Sequence, residues 1–203
     1  MKVSKFLRFS LFAIAALTFV ACEDDDDDDN GPMEPANEEE VITDMILTFT
    51  DIDTQQSTVV TFSDPDGEGG NIPVVDDIIL GDSATYTLSI QVQDASNPND
   101  VEDITEEIEE EDDEHQFFFI TLDGAGNSVN ISYDLVNDID DDGNPIGLSS
   151  NWVVTQPTFG NEKVRIVLRH EPNKDGAGVS DGDITNAGGE TDIEWDFNFT
   201  VID

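Results

Sequence analysis

His115 and His170 are the only two histidines in this 203-residue chain. Neutral imidazole is a common ligand for zinc and other transition metals. Glu111 stands four residues before His115, a spacing that puts both side chains on one face if a helix reaches that far. A Glu-x-x-x-His pair can chelate zinc, copper or iron, with His170 completing the set and Glu114 adding a further carboxylate. His170 continues the alternation Val164, Ile166, Leu168, so it points toward a core or its rim. The run Glu109 to Glu114 crowds acids at the end of a predicted helix, where the dipole disfavours negative charge and a bound cation would relieve it. The alternative is two structural histidines, each bonded to a carboxylate or the backbone without metal.

Asp138-Ile139-Asp140-Asp141-Asp142-Gly143 has the D-x-D-x-D-G spacing of a calcium loop. Alternate carboxylates from Asp138, Asp140 and Asp142 can converge on one hard cation, and glycine permits the turn. A full EF-hand loop would place a bidentate Glu where Ser149 stands, so an acidic hairpin loop is the competing reading. The segments 64–68 and 175–183 carry looser versions, read as turn chemistry. Lys163, Arg165 and Arg169 share the polar face of one predicted strand, where Glu194 and Asp196 of the last strand can pair with them. No Gly-rich phosphate loop or nucleophile elbow is visible. The chain is therefore read as a binding protein with no catalytic residues rather than an enzyme, a hydrolase with a Ser or carboxylate nucleophile beside His115 or His170 being the distant alternative.

The elements that must position these groups follow from pattern. Lys2, Lys5 and Arg8 precede an apolar run that ends at Val20, and Ala21-Cys22 follows. A basic end, a short apolar stretch and a small residue before the cut make a secretory signal peptide over 1–21. Cys22 is the only cysteine, and residues 19–22 resemble a lipobox, with Phe19 where Leu is more usual. That resemblance implies cleavage before Cys22 and its acylation, including palmitate. With one cysteine there is no intrachain disulfide and no cysteine-rich zinc site. The mature chain would carry 48 acidic against four basic residues, a net charge of −44. Such a surface does not bind nucleic acid, whose phosphates need Lys and Arg.

Residues 22–40 hold eleven acids and two prolines, too little apolar surface to order, and are expected to be a tether. From Val41 the period changes to two. Tyr86, Leu88, Ile90 and Val92 alternate with polar residues, as do Val129 to Leu135, Val164 to Leu168, and Ile193 to Val201. Weaker candidates lie at 41–51, 57–63, 116–122 and 150–156. The pattern predicts an all-β domain over 41–203, an antiparallel Ig-like β-sandwich of about eight strands. One acidic amphipathic helix, opening near Asn97-Pro98-Asn99-Asp100 and running to about Glu114, crosses between strands.

The acidic run after Cys22 resembles the surface-export signal of Bacteroidota lipoproteins. The segments 38–43 (EEEVIT), 63–67 (SDPDG), 102–107 (EDITEE), 114–118 (EHQFF), 168–174 (LRHEPNK) and 182–192 (GDITNAGGETD) resemble a family of uncharacterised Bacteroidota lipoproteins. Members often carry a periplasmic-binding-fold label, which the strand pattern here does not support, since a parallel α/β fold needs repeated helices. The resemblance implies an outer-membrane, cell-surface lipoprotein that serves as a ligand- or metal-binding accessory to a TonB-dependent receptor in nutrient uptake. The alternative function is a structural or adhesive domain whose loops bind Ca2+ and which has no transport role.

Overall fold

In the computed structural model, residues 40–67, 70–158 and 160–203 are described. The signal peptide, Cys22 and all of the acidic tether except Glu40 fall outside them. The order is β1 (Asp44–Asp51), β2 (Ser57–Ser63), β3 (Val74–Val75), β4 (Ile78–Gly81), β5 (Thr85–Asp94), β6 (Glu102–Asp103), α1 (Ile104–Glu110), β7 (His115–Leu122), β8 (Val129–Tyr133), β9 (Ser149–Val154), β10 (Lys163–His170) and β11 (Glu190–Ile202). The domain is all-β, as the alternation predicts. One sheet runs β3-β2-β1-β5-β9-β8, with β6 paired to β5, and the second runs β4-β11-β10-β7. Two-residue β3 and β6 and the short β4 add to the expected strands. β4 pairs parallel to β11, an exception to an otherwise antiparallel fold.

The inward faces form one core. Met45, Leu47 and Phe49 of β1, Leu88, Ile90 and Val92 of β5, and Val164, Ile166 and Leu168 of β10 are buried, each set at period two. Trp152 on β9 is fully buried and meets Phe49 edge to face at 5.0 Å, a favoured aromatic geometry. A smaller cluster, Phe118, Val167, Val179 and Ala187, lies apart from this core. It joins β7 and β10 to the long segment between β10 and β11, and Gln116 Nε2 donates to Val179 O at 2.9 Å to hold that segment in place.

The helix is shorter than predicted at both ends. Asn97 to Asp100 form a turn, and the N-cap is Asp103, whose carboxylate accepts from Thr105 N–H at 3.1 Å. Ile104 and Ile108 are buried in the core. The helix stops at Glu110 and the chain turns through 111–114, consistent with acids being unfavourable in a last turn. α1 thus carries the chain from β6 in one sheet to β7 in the other. Among the described residues no helix is long and apolar enough to cross a membrane.

Candidate metal centre

His115 opens β7 and His170 closes β10, and antiparallel pairing sets them directly opposite each other. Their rings stand nearly perpendicular, with centroids 4.8 Å apart. Asp192 arrives through a β-bulge. Leu168 pairs with Ile193 and Arg169 with Thr191, which leaves Asp192 without a partner of its own. A bulge sets two residues against one and re-aims a side chain; here Asp192 reaches both imidazoles. Gly189 permits the close approach. Its φ is +69°, and a Cβ there would lie 2.2 Å from His170 O, so the strand can enter beside His170 only with glycine. The fourth group, Glu40, comes from outside the sheets, four residues before β1.

The Glu40 carboxylate bridges the two histidines. Its Oε1 is 3.0 Å from His115 Nε2 and its Oε2 is 3.0 Å from His170 Nδ1. Asp192 Oδ2 lies 3.9 Å from His115 Nε2, and Oδ1 lies 3.8 Å from His170 Nδ1. All four side chains are almost wholly withdrawn from solvent, with His115 and Asp192 at 0% exposure. Four ligands around one ion with bonds of about 2.0–2.1 Å sit about 3.3 Å apart in a tetrahedron. The observed separations straddle that value, and one atom from each of the four residues falls within 4.8 Å of the others. The cluster could hold a metal ion.

Its hydrogen bonding has a gap in the same place. His115 Nδ1 lies 3.2 Å from the Glu111 carbonyl, which can only accept, so Nδ1 carries a proton. In the neutral ring Nε2 is then bare, and it faces a carboxylate oxygen. Two acceptors at that distance need a proton or a metal ion between them. Asp192 has no hydrogen-bond donor on either oxygen among the described residues, an unusual state for a buried carboxylate.

The charges respond accordingly. Burial works to raise Glu40, but the two imidazoles outweigh it and hold its carboxyl down at about 2. Burial works to lower His115, yet the Glu40 carboxylate carries it above its ordinary value. Burial, and then the charge of Glu40, push Asp192 up to about 7. The group thus competes for protons and for cations in one small volume.

The predicted pair His115 and His170 is brought together. Glu111 takes part through its backbone carbonyl rather than its side chain, because the helix ends before His115. Glu114 groups with His170 and Glu171, but not with Glu40, His115 or Asp192. Asp138, Asp140 and Asp142 do not form one ligand group among the described residues. Asp138 Oδ2 accepts from Gly147 and Ser149 N–H at 2.8 and 2.9 Å. Asp140 Oδ1 accepts from Asp142 and Asn144 N–H, while its Oδ2 meets Lys174 Nζ at 3.2 Å. Among the described residues, the positive charge that meets this loop is the Lys174 ammonium. Arg165 pairs with Glu194 and Asp196 at 2.7 and 2.5 Å, as the strand faces predict.

Glu40 and Asp192 were not anticipated. Strict alternation sends Asp192 outward with Glu194 and Asp196, and only the bulge reverses it. Glu40 is the last of an acidic run and carries no local signal. No family model, curated protein or solved structure matches this chain.

Proposed function

We propose that this chain is a lipid-anchored, cell-surface metal-binding protein whose Glu40–His115–His170–Asp192 centre takes Zn2+ or another first-row transition ion. The single observation that carries the metal reading is the buried quartet of ligand atoms within 4.8 Å of one another, with neither Asp192 oxygen hydrogen-bonded among the described residues. Two imidazoles and two carboxylates suit zinc and its neighbours better than soft Cu(I), which prefers sulfur. A closed four-ligand set of this kind staples chain segments together. Here it would tie the base of the tether to both inner strands of the second sheet and to its edge strand β7. The lipid anchor rests on Cys22 and its flanks. A role as accessory to a TonB-dependent receptor rests on the lipoprotein resemblance, and retrieval of such a receptor by the tagged protein from membranes would test it.

Calorimetric titration with zinc and metal analysis of the purified mature chain test the centre; a one-to-one stoichiometry is expected. Anchoring is tested separately. Cys22→Ser should prevent both cleavage and acylation, and labelled palmitate on the variant would refute the anchor.

Asp192 yields a prediction of opposite sign in the two metal states. Without metal, its folded pKa of about 7 lies above the unfolded carboxylate value of about 3.9. Its protonated form is the one the fold favours, so its contribution is fully present below about pH 4 and lost as pH rises through 7. In a chelator at pH 8, Asp192→Asn should therefore be more stable than wild type by about 1–3 kcal/mol, the cost of a buried unsatisfied group. The gap should close toward pH 4. With zinc present the order should reverse, because the amide is a poor ligand. Urea melts of both proteins at pH 8 and pH 5 check this, and a less stable variant in chelator at pH 8 would refute it.

A further inference from the structure

Three of the four ligands stand on paired strands, and one does not. His115 and His170 face each other across β7 and β10, and Asp192 is fixed by the bulge in β11. Glu40 lies ahead of β1, and among the described residues the first backbone hydrogen bond of its segment to the sheet is that of Thr43, whose N–H donates to Gln93 O at 3.0 Å. Between them Val41 is 60% exposed, and Ile42 packs partly on the core. Glu40 reaches a residue 130 positions away through its side chain alone. Beside this segment opens a cavity of about 540 Å3, bordered by Ile42, Phe62, Asp64, Asp192, Ile193 and Trp195. Its volume falls in the range of small-molecule sites. Phe62 and Trp195 form a tilted aromatic pair in its wall, with centroids 4.9 Å apart.

We propose that the Glu40 carboxylate is a tethered occupant of a ligand position, and that His115, His170 and Asp192 with their ion form a receptor for small monocarboxylates with an apolar body. This rests on the metal reading above. Three protein ligands leave a coordination position that water or a ligand can fill. A carboxylate head would take the place of Glu40 on the ion, and its apolar body would lie against Phe62 and Trp195. The acids Asp64 and Glu194 in its lining oppose a second negative charge on the guest, which selects monocarboxylates. The exchange is a ligand substitution: the Glu40 oxygen leaves the ion as the guest oxygen arrives, with no net change in charge at the centre. In the intact chain the tether presents Glu40 at an effective concentration of about millimolar, so an external carboxylate must compete with it.

The test uses the full mature chain with zinc for affinity and cobalt for its ligand-field spectrum. Glu40→Ala should weaken zinc binding by at least about tenfold, since even the loss of a group that only orients a ligand costs about 10–100-fold. Acetate should restore affinity and return the cobalt spectrum toward that of wild type. Benzoate should do so at lower concentration than acetate, and Trp195→Ala in the Glu40→Ala background should remove that advantage while leaving acetate rescue in place. Wild type should need at least tenfold more benzoate for the same spectral change. Glu40→Gln, whose amide fills the space, should not be rescued. Equal zinc affinity and spectra for wild type and Glu40→Ala would overturn the proposal and leave the metal reading standing, as would a weakened variant that neither carboxylate affects. A wild-type chain that takes up neither zinc nor cobalt would instead remove the metal centre itself.

Discussion

Zinc at a thousand times its dissociation constant should raise the melting temperature of the mature chain by roughly 8–16 °C, since that excess is worth about 4.1 kcal/mol and each kcal/mol moves a domain of this size by about 2–4 °C. The double change His115→Ala and His170→Ala should abolish the shift. Both imidazoles are buried, at 0% and 5% exposure, and the chain has no other histidine that could mimic the effect. Each single change should remove most of it, because the ring that remains keeps only one nitrogen near the carboxylates. The response should also depend on pH. Burial works against the charged form of His115, but Glu40 carries its pKa above the ordinary value. A protonated imidazole cannot ligate, so affinity should fall as pH drops through that raised value, beginning above the usual ~6.5. Scanning calorimetry with and without zinc at pH 8, 7 and 6 measures all of this. An equal zinc shift in wild type and the double variant would refute the centre.

Much of the frame was legible because a half-buried strand writes its faces at period two. Val164, Ile166 and Leu168 point inward, and the same register carries His170 to the core rim. Arg165 paired with Glu194 and Asp196 follows from the opposite faces of β10 and β11. What escaped has identifiable causes. A bulge inserts one residue into the alternation, so Asp192 reads as outward and is inward. Glu40 is placed by a contact spanning 130 residues, which no local pattern encodes. The helix ends at Glu110, before His115, and that converts Glu111 from a side-chain ligand into a backbone acceptor. The acidic loop 138–143 holds a further contact that no local pattern encodes. Its spacing does not reveal that a lysine from a distant segment meets Asp140.

That lysine provides the largest expected effect on stability. Lys174 is 6% exposed; its ammonium meets Asp140 Oδ2 at 3.2 Å and donates to the Asp112 carbonyl. Burial pulls its pKa down, and the charge of Asp140 only partly offsets that, which marks a cation held in a desolvated place. It joins three segments: the turn after α1, the acidic loop and the segment following β10. Lys174→Met keeps the apolar stem and removes the charge, so packing loss is small. Breaking a buried pair from one side leaves an uncompensated charge and costs about 3–5 kcal/mol, or roughly 6–20 °C in melting temperature for a domain of this size. Adding Asp140→Asn should recover part of the loss, because no lone carboxylate then remains. Recovery in the double variant separates a charge effect from a packing effect, which the second change could not repair. Millimolar calcium should leave the wild-type melting temperature unchanged, since the loop's cation is covalently part of the chain. A stabilising response of wild type to calcium, or a Lys174→Met variant as stable as wild type, would show that the ammonium is not what holds Asp140 in place.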